Sequence, residues 1–182
     1  MRFISFFAGI GGIDLGLERA GHECVGQVEI DEYCNKVLAK RFGDDTSEGH
    51  NETDGCQFPE ADLWVGGFPC QDLSVAGKQA GIDGKRSGLF FELMRLVRAV
   101  RPKYILLENV PGIFTSGHGR VQGELAEAGY HALWFVLSAA DVGAPHLRKR
   151  WFCVCWRWGE EWPLMGYAKS LRELQPQGGE RD

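Results

Sequence analysis

The sequence predicts an α/β fold, with a mainly parallel sheet and helices on both faces. Three observations point there. Apolar runs of strand length alternate with stretches of helical period through most of the chain. Glycine, proline and polar turns bound these runs, so each reads as a separate element. The residues with unusual chemistry fall just after the strands, where open α/β sheets bind their ligands.

The elements follow in order. "RFISFF" is a first strand bounded by "AGIGG". "IDLGLERAG" carries Ile13, Leu15 and Leu17 and closes on Gly21, which predicts a short helix. "CVGQVEI" is a second strand. In "DEYCNKVLAKRF", Tyr33, Val37 and Leu38 share one helical face and Asp31 is a candidate N-cap. The polar, aperiodic stretch 43–59 reads as loop, "ADLWVGGF" as a third strand, and 71–87 as a glycine-bearing loop. "GLFFELMRLVRAV" is an amphipathic helix that must stop before Pro102. "KYILLENV" is a buried strand and "PGIF" turns away from it. "RVQGELAEAG" is a helix ending at Gly129. "HALWFVLSA" and "RWFCVCW" are strands. Past Trp158 the pattern dissolves, giving one folded domain over 1–158 and a polar tail over 159–182.

Composition narrows the function classes. At 182 residues, 44% hydrophobic and 25% charged, the chain can bury a core without disulfides. Its six cysteines contain no CxxC pair, so no zinc or other metal site is expected, and reduced thiols in a cytoplasm are the default. No apolar run reaches the roughly 18 residues that span a bilayer, so no membrane partner is expected. A net charge of −5 has the wrong sign for nucleic-acid binding over the whole surface. Any such binding must use local basic patches or another chain.

Four strand ends carry the candidate chemistry. "FAGIGG" lets backbone approach a ligand closely, although tight packing alone also explains it. Glu29, eighteen positions beyond Gly11, suits either ribose hydroxyls or a capping role. Cys70 in "GGFPCQDLSVAGK" opens a glycine-rich loop just beyond a strand. It is a core thiol, a metal ligand or a nucleophile; backbone N–H groups there would stabilise a thiolate, but no nearby His supplies a base. Glu108 and Asn109 end an apolar strand, where desolvation raises a carboxyl pKa and fits it for acid catalysis or for helix capping. His146, Arg148 and Arg150 alternate in "HLRKRWF" and share one face if the backbone is extended. Arginines so placed suit bidentate contacts to a base edge or phosphate, or a solvated charge run.

Taken together and in order, these stretches resemble the DNA cytosine-5 methyltransferases, from about residue 2 to about residue 156. The resemblance implies a Rossmann-like fold that uses S-adenosylmethionine and no metal. It assigns Phe7, Ala8, Gly9, Gly11 and Gly12 to the cofactor pocket, Glu29 to the cofactor ribose and Ile30 to its adenine. Phe68 and Leu89 join that pocket. Cys70 matches the nucleophile, Glu108 the residue that contacts the cytosine, and Arg148 and Arg150 the two arginines of a Gln-x-Arg-x-Arg motif. Pro69, Gln71, Ser74, Asn109 and His146 fall on substrate-binding positions. The implied substrate is double-stranded DNA, with the target base flipped out of the duplex. The implied location is the cytoplasm of a prokaryotic or phage-infected cell.

The chain departs from the family in three places. The Gly-Asp before the catalytic strand, whose Asp contacts adenine, is replaced by a segment offering Asp45, His50, Asn51 and Asp54. The Gln of the arginine motif is His146. No segment after Trp158 reads as a target-recognition domain or a final motif. The expectation is therefore the catalytic part of such an enzyme, active alone or with a second polypeptide that carries target recognition. The alternatives are a truncated inactive remnant, a non-catalytic partner subunit, or an RNA cytosine methyltransferase, against which the absence of a Cys-Phe-Thr signature counts.

Overall fold

The computed structural model describes residues 1–43, 58–68 and 88–161. They form a six-stranded sheet with helices on both faces. In chain order the elements are β1 (Arg2–Phe6), α1 (Gly12–Arg19), β2 (Glu23–Val28), α2 (Glu32–Phe42), β3 (Leu63–Gly66), α3 (Gly88–Val100), β4 (Tyr104–Asn109), α4 (Ile113–Ser116), α5 (His118–Glu127), β5 (Tyr130–Ser138) and β6 (Lys149–Arg157). A 3-10 turn over Ala139–Val142 links β5 towards β6. The strand order is β2-β1-β3-β4-β6-β5. β1 to β4 are mutually parallel, whereas β6 runs antiparallel to both β4 and β5.

Alternation along the strands divides the core into two layers, because successive side chains point to opposite faces. Ile4 and Phe6 of β1 join Trp64, Ile105, Leu107, Trp151, Cys153 and Cys155 in the larger layer. Helix α3 covers it with Phe90, Leu93, Met94 and Val97, spaced i, i+3, i+4 and i+7 and all buried. Helix α5 adds Val121 and Leu125. Each fully buried large side chain contributes about 1.5–3 kcal/mol relative to exposure. The other layer is thinner: Phe3, Leu63 and Val65 pack under Ile13 and Leu17 of α1.

Helix ends use the predicted signals. The Asp31 carboxylate caps α2 by accepting the Cys34 N–H at 2.8 Å. Helix α3 stops at Arg101, whose φ of 56° is left-handed, immediately before Pro102. Gly129, at φ 84°, closes the turn after α5. Two expectations are corrected. Tyr33 does not share the buried face of α2: it is exposed, and Leu38 is that helix's buried residue. His146 does not extend the strand towards Arg148 and Arg150, because β6 begins at Lys149 and His146 sits in a bend before it.

The order places the site. From β1 the chain moves to β2 on one side, then crosses to β3 on the other. The carboxyl ends of β1 and β3 therefore flank a topological switch point, the usual location of a ligand crevice.

Candidate active site

The turn after β1 is shaped by backbone that L-residues rarely adopt. Phe7 and Gly9 both have φ 57°, and Gly11 has φ 78°. Gly11 caps α1, and its N–H donates to the Ala8 carbonyl at 3.0 Å. A Cβ at Gly9 would meet nothing within 4 Å, so this residue borders open space.

Glu29 follows β2 by one residue, and its carboxylate is fixed onto this turn. One oxygen accepts the Gly9 N–H at 2.7 Å; the other accepts the N–H groups of Ile30 and Asp31, each at 2.8 Å. The Val28 carbonyl also accepts the Ala8 N–H at 3.2 Å. Ile30 is 77% exposed beside it. An oriented acid, an open glycine and an apolar side chain at the rim fit a nucleoside: hydroxyl acceptor, close backbone approach and a surface for a purine ring.

Below this tier lies a polar cluster that the sequence reading did not single out. Asp14, fully buried on α1, accepts the Ser5 hydroxyl at 3.0 Å and the Gln27 side-chain N–H at 2.6 Å. Burial pushes its carboxyl pKa up, against the two hydrogen bonds that pull it down. The only signal was an acid inside an otherwise apolar helical pattern.

The second half of the crevice lies at the ends of β3 and β4. Glu108 and Arg150 pair at 2.7 Å through the guanidinium Nε, and each side chain is 22% exposed. Glu108 stands opposite Phe152 in the antiparallel register, so Arg150, two residues along β6, lies on the same face. Burial raises the Glu108 carboxyl above the ordinary range, while Arg150 and Arg148 nearby pull it back. A Cβ at Gly67 would lie 3.4 Å from the Glu108 carboxylate, so the exit of β3 runs directly beside this acid. Asn109 is buried; its amide donates to the Phe68 carbonyl at 3.3 Å, and its oxygen accepts the Val110 N–H at 2.8 Å. It thereby ties the exit of β3 to that of β4. Phe68 turns into the core against Phe90, with ring centroids 5.0 Å apart.

The structure thus groups Gly9 with Glu29 and Ile30, and Glu108 with Arg150, Asn109 and Phe68. Leu89, in the first turn of α3, is 39% exposed. His146 and Arg148 are exposed, and Arg148 reaches Glu108 through its charge. Pro69, Cys70, Gln71 and Ser74 lie outside the described residues, as do Asp45, His50, Asn51 and Asp54.

The profile of the family described as C-5 cytosine-specific DNA methylase matches residues 1–177. The chain belongs to this family. Among curated members of the C5 methylase family, the type II methyltransferase M.HhaI of Haemophilus parahaemolyticus is 37% identical over 161 residues, covering 86% of this chain and 49% of that protein. M.BanI of Aneurinibacillus aneurinilyticus is 40% identical over 160 residues, covering 82% of this chain and 37% of that protein. This methylase-family chain therefore spans about half or less of the length of these relatives. Solved structures agree on its fold. A DNMT2 variant of Spodoptera frugiperda superposes with a TM-score of 0.71 at 25% identity, covering 90% of this chain and 52% of that one. The Entamoeba histolytica methyltransferase EhMeth gives 0.74 at 23% identity, covering 88% and 55%.

Proposed function

We propose that this chain is the cofactor-binding and catalytic part of a DNA cytosine-5 methyltransferase acting in the cytoplasm. The observation that carries the reading is the pairing of Glu108, near the carboxyl end of β4, with Arg150 at the start of β6, with the Glu108 pKa raised by burial. A carboxyl whose pKa burial raises is better matched to sharing a proton or hydrogen bond with a ring nitrogen than an ordinary exposed one.

The residues divide the work. The Cys70 thiolate adds to C6 of a flipped-out cytosine, forming a C–S bond and pushing electron density through the ring towards N3. Glu108 donates its proton or a hydrogen bond at N3. Arg150 holds Glu108 and faces the O2 side of the base, and Arg148 adds positive charge. S-adenosylmethionine, held by Glu29, Ile30, Leu89 and the turn of Phe7, Ala8, Gly9, Gly11 and Gly12, supplies an electrophilic methyl group when bound. Addition at C6 makes C5 nucleophilic towards that methyl. Loss of the C5 proton to solvent, return of the N3 proton to Glu108 and departure of the thiolate then restore the aromatic ring. Asn109 and Phe68 keep the exits of β3 and β4 together while this happens. Pro69, Gln71, Ser74 and His146 are assigned to substrate binding. Choice of DNA sequence is assigned to a further segment, on this chain or on a second polypeptide.

The test is a covalent trap. Duplex DNA with 5-fluorocytosine at target positions has no C5 proton to lose, so the Cys70 adduct should persist. Chain, cofactor and DNA are combined, with and without a polypeptide carrying the remaining half of a relative, and tRNA is offered in parallel. Wild type should give a DNA-linked band and Cys70→Ser none. A band that survives Cys70→Ser, transfer to tRNA alone, or no adduct in any combination would overturn the reading.

A further inference from the structure

Asp14 is the one fully buried acid among the described residues, and nothing in the proposed chemistry uses it. Its position is specific. Ser5 of β1 and Gln27 of β2 are direct register partners, each one residue short of its strand's carboxyl end. Asp14 descends onto both from the first turn of α1, three residues after the cap at Gly11. One carboxylate therefore ties together three elements, β1, β2 and α1. The segments that leave them, residues 7–11 and 29–31, carry the Glu29–Gly9 contact one tier above.

The alternative explanation is generic stability, and the chemistry argues against it. A buried carboxylate is costly, and an apolar side chain would fill the same space with less penalty. Nor is the cluster closed: the Gln27 side-chain oxygen is buried and has no hydrogen-bond partner among the described residues. A polar clamp instead gives direction, because its hydrogen bonds accept only one register of α1 against the two strands.

We infer that Asp14 is a positioning residue: through Ser5 and Gln27 it holds the glycine turn and the Glu29 segment in the one relative register that accepts the cofactor. This rests on the cofactor assignment made above. An asparagine suffices to fill the role. Its oxygen accepts from Ser5, and its amide donates to the Gln27 oxygen once that side-chain amide turns over. A leucine of similar size strands both partners.

The experiment compares wild type, Asp14→Asn, Asp14→Leu, the milder Gln27→Met and a remote core variant, Leu125→Ala, below their unfolding temperatures. Amide hydrogen exchange without cofactor is read at Gly9, Ile30 and Asp31, and S-adenosylmethionine binding is read by calorimetry. Asp14→Leu should lose protection at those amides and bind at least about tenfold more weakly, the scale of a lost charge-assisted hydrogen bond. Gln27→Met should move the same way, and Asp14→Asn should stay within about threefold of wild type. Leu125→Ala should lower Tm without changing either readout. Unchanged exchange in both Asp14→Leu and Gln27→Met, or equal loss in Leu125→Ala, would overturn the clamp. If Asp14→Leu does not fold, Gln27→Met decides. Absence of cofactor binding in wild type would instead sink the functional reading, with the exchange data still judging the clamp.

Discussion

Three glycines in "FAGIGG" should respond to the same substitution in three different ways. Gly9 is left-handed at φ 57° and borders open space, so alanine there costs only backbone strain, about 1 kcal/mol. Gly11 is left-handed at φ 78°, and a Cβ there would collide with the Phe42 ring, standing 3.0 Å from Leu38 Cδ2. Overpacking adds about 1–3 kcal/mol to the strain, for a total of about 2–4 kcal/mol. Gly12 is the first residue of α1, has no positive φ and meets nothing within 4 Å, so alanine should be neutral or stabilise by up to about 1 kcal/mol. For a chain of this size each kcal/mol moves Tm by about 2–4 °C. The expected order is therefore Gly12→Ala at or above wild type, then Gly9→Ala, then Gly11→Ala. Urea titration gives the free energies, and a double-mutant cycle with Phe42→Leu isolates the collision. That cycle should return a favourable coupling of about 1–3 kcal/mol with Gly11→Ala and none with Gly9→Ala. Equal losses at Gly9 and Gly11, or no coupling to Phe42, would refute the reasoning.

Two more perturbations test the site and its support. Glu108 has its folded pKa raised by burial, so its stabilising contribution is fully present below the unfolded carboxyl pKa and is lost as pH rises through the folded one. Glu108→Gln should accordingly raise Tm at neutral pH and converge with wild type in acid, while methyl transfer falls about 10²–10⁴-fold; a variant less stable than wild type at pH 7 would contradict this. Tyr130 is buried, donates to the Pro102 carbonyl at 2.6 Å, and has its phenol pKa pushed up to about 12. Tyr130→Phe strands that carbonyl and should cost about 1–2 kcal/mol by urea titration, with no effect on cofactor binding.

The sequence was informative where a signal repeats within a few residues. The Phe90, Leu93, Met94 and Val97 stripe defines α3 because neighbours at i+3 and i+4 share a face. The four strand exits were legible because either glycines or an acid stand at the end of each apolar run. What depends on register was not. Tyr33 belongs to the apolar pattern of α2, yet this helix follows the edge strand β2 and buries only Leu38 among its side chains. Asp14 finds partners nine and thirteen residues away, a relation that exists only once β1 and β2 are aligned. The Glu108–Arg150 contact needs β6 inserted antiparallel between β4 and β5, and no local pattern reveals that order.

The reversed direction of β6 has a consequence for how this protein can change over time. In an all-parallel sheet, every strand begins at the end remote from the ligand crevice. Because β6 runs the other way, its first residues arrive at the crevice already held by ladders on both sides. The residues 143–145 before it can then lengthen, shorten or be exchanged without moving Arg150, whereas His146 and Arg148 keep the roles proposed above. A single-residue deletion inside the strand cannot be absorbed so cheaply, since it would turn the guanidinium to the opposite face of the sheet. The guanidinium is thus anchored by its strand, and only the residues ahead of His146 are left free to diversify.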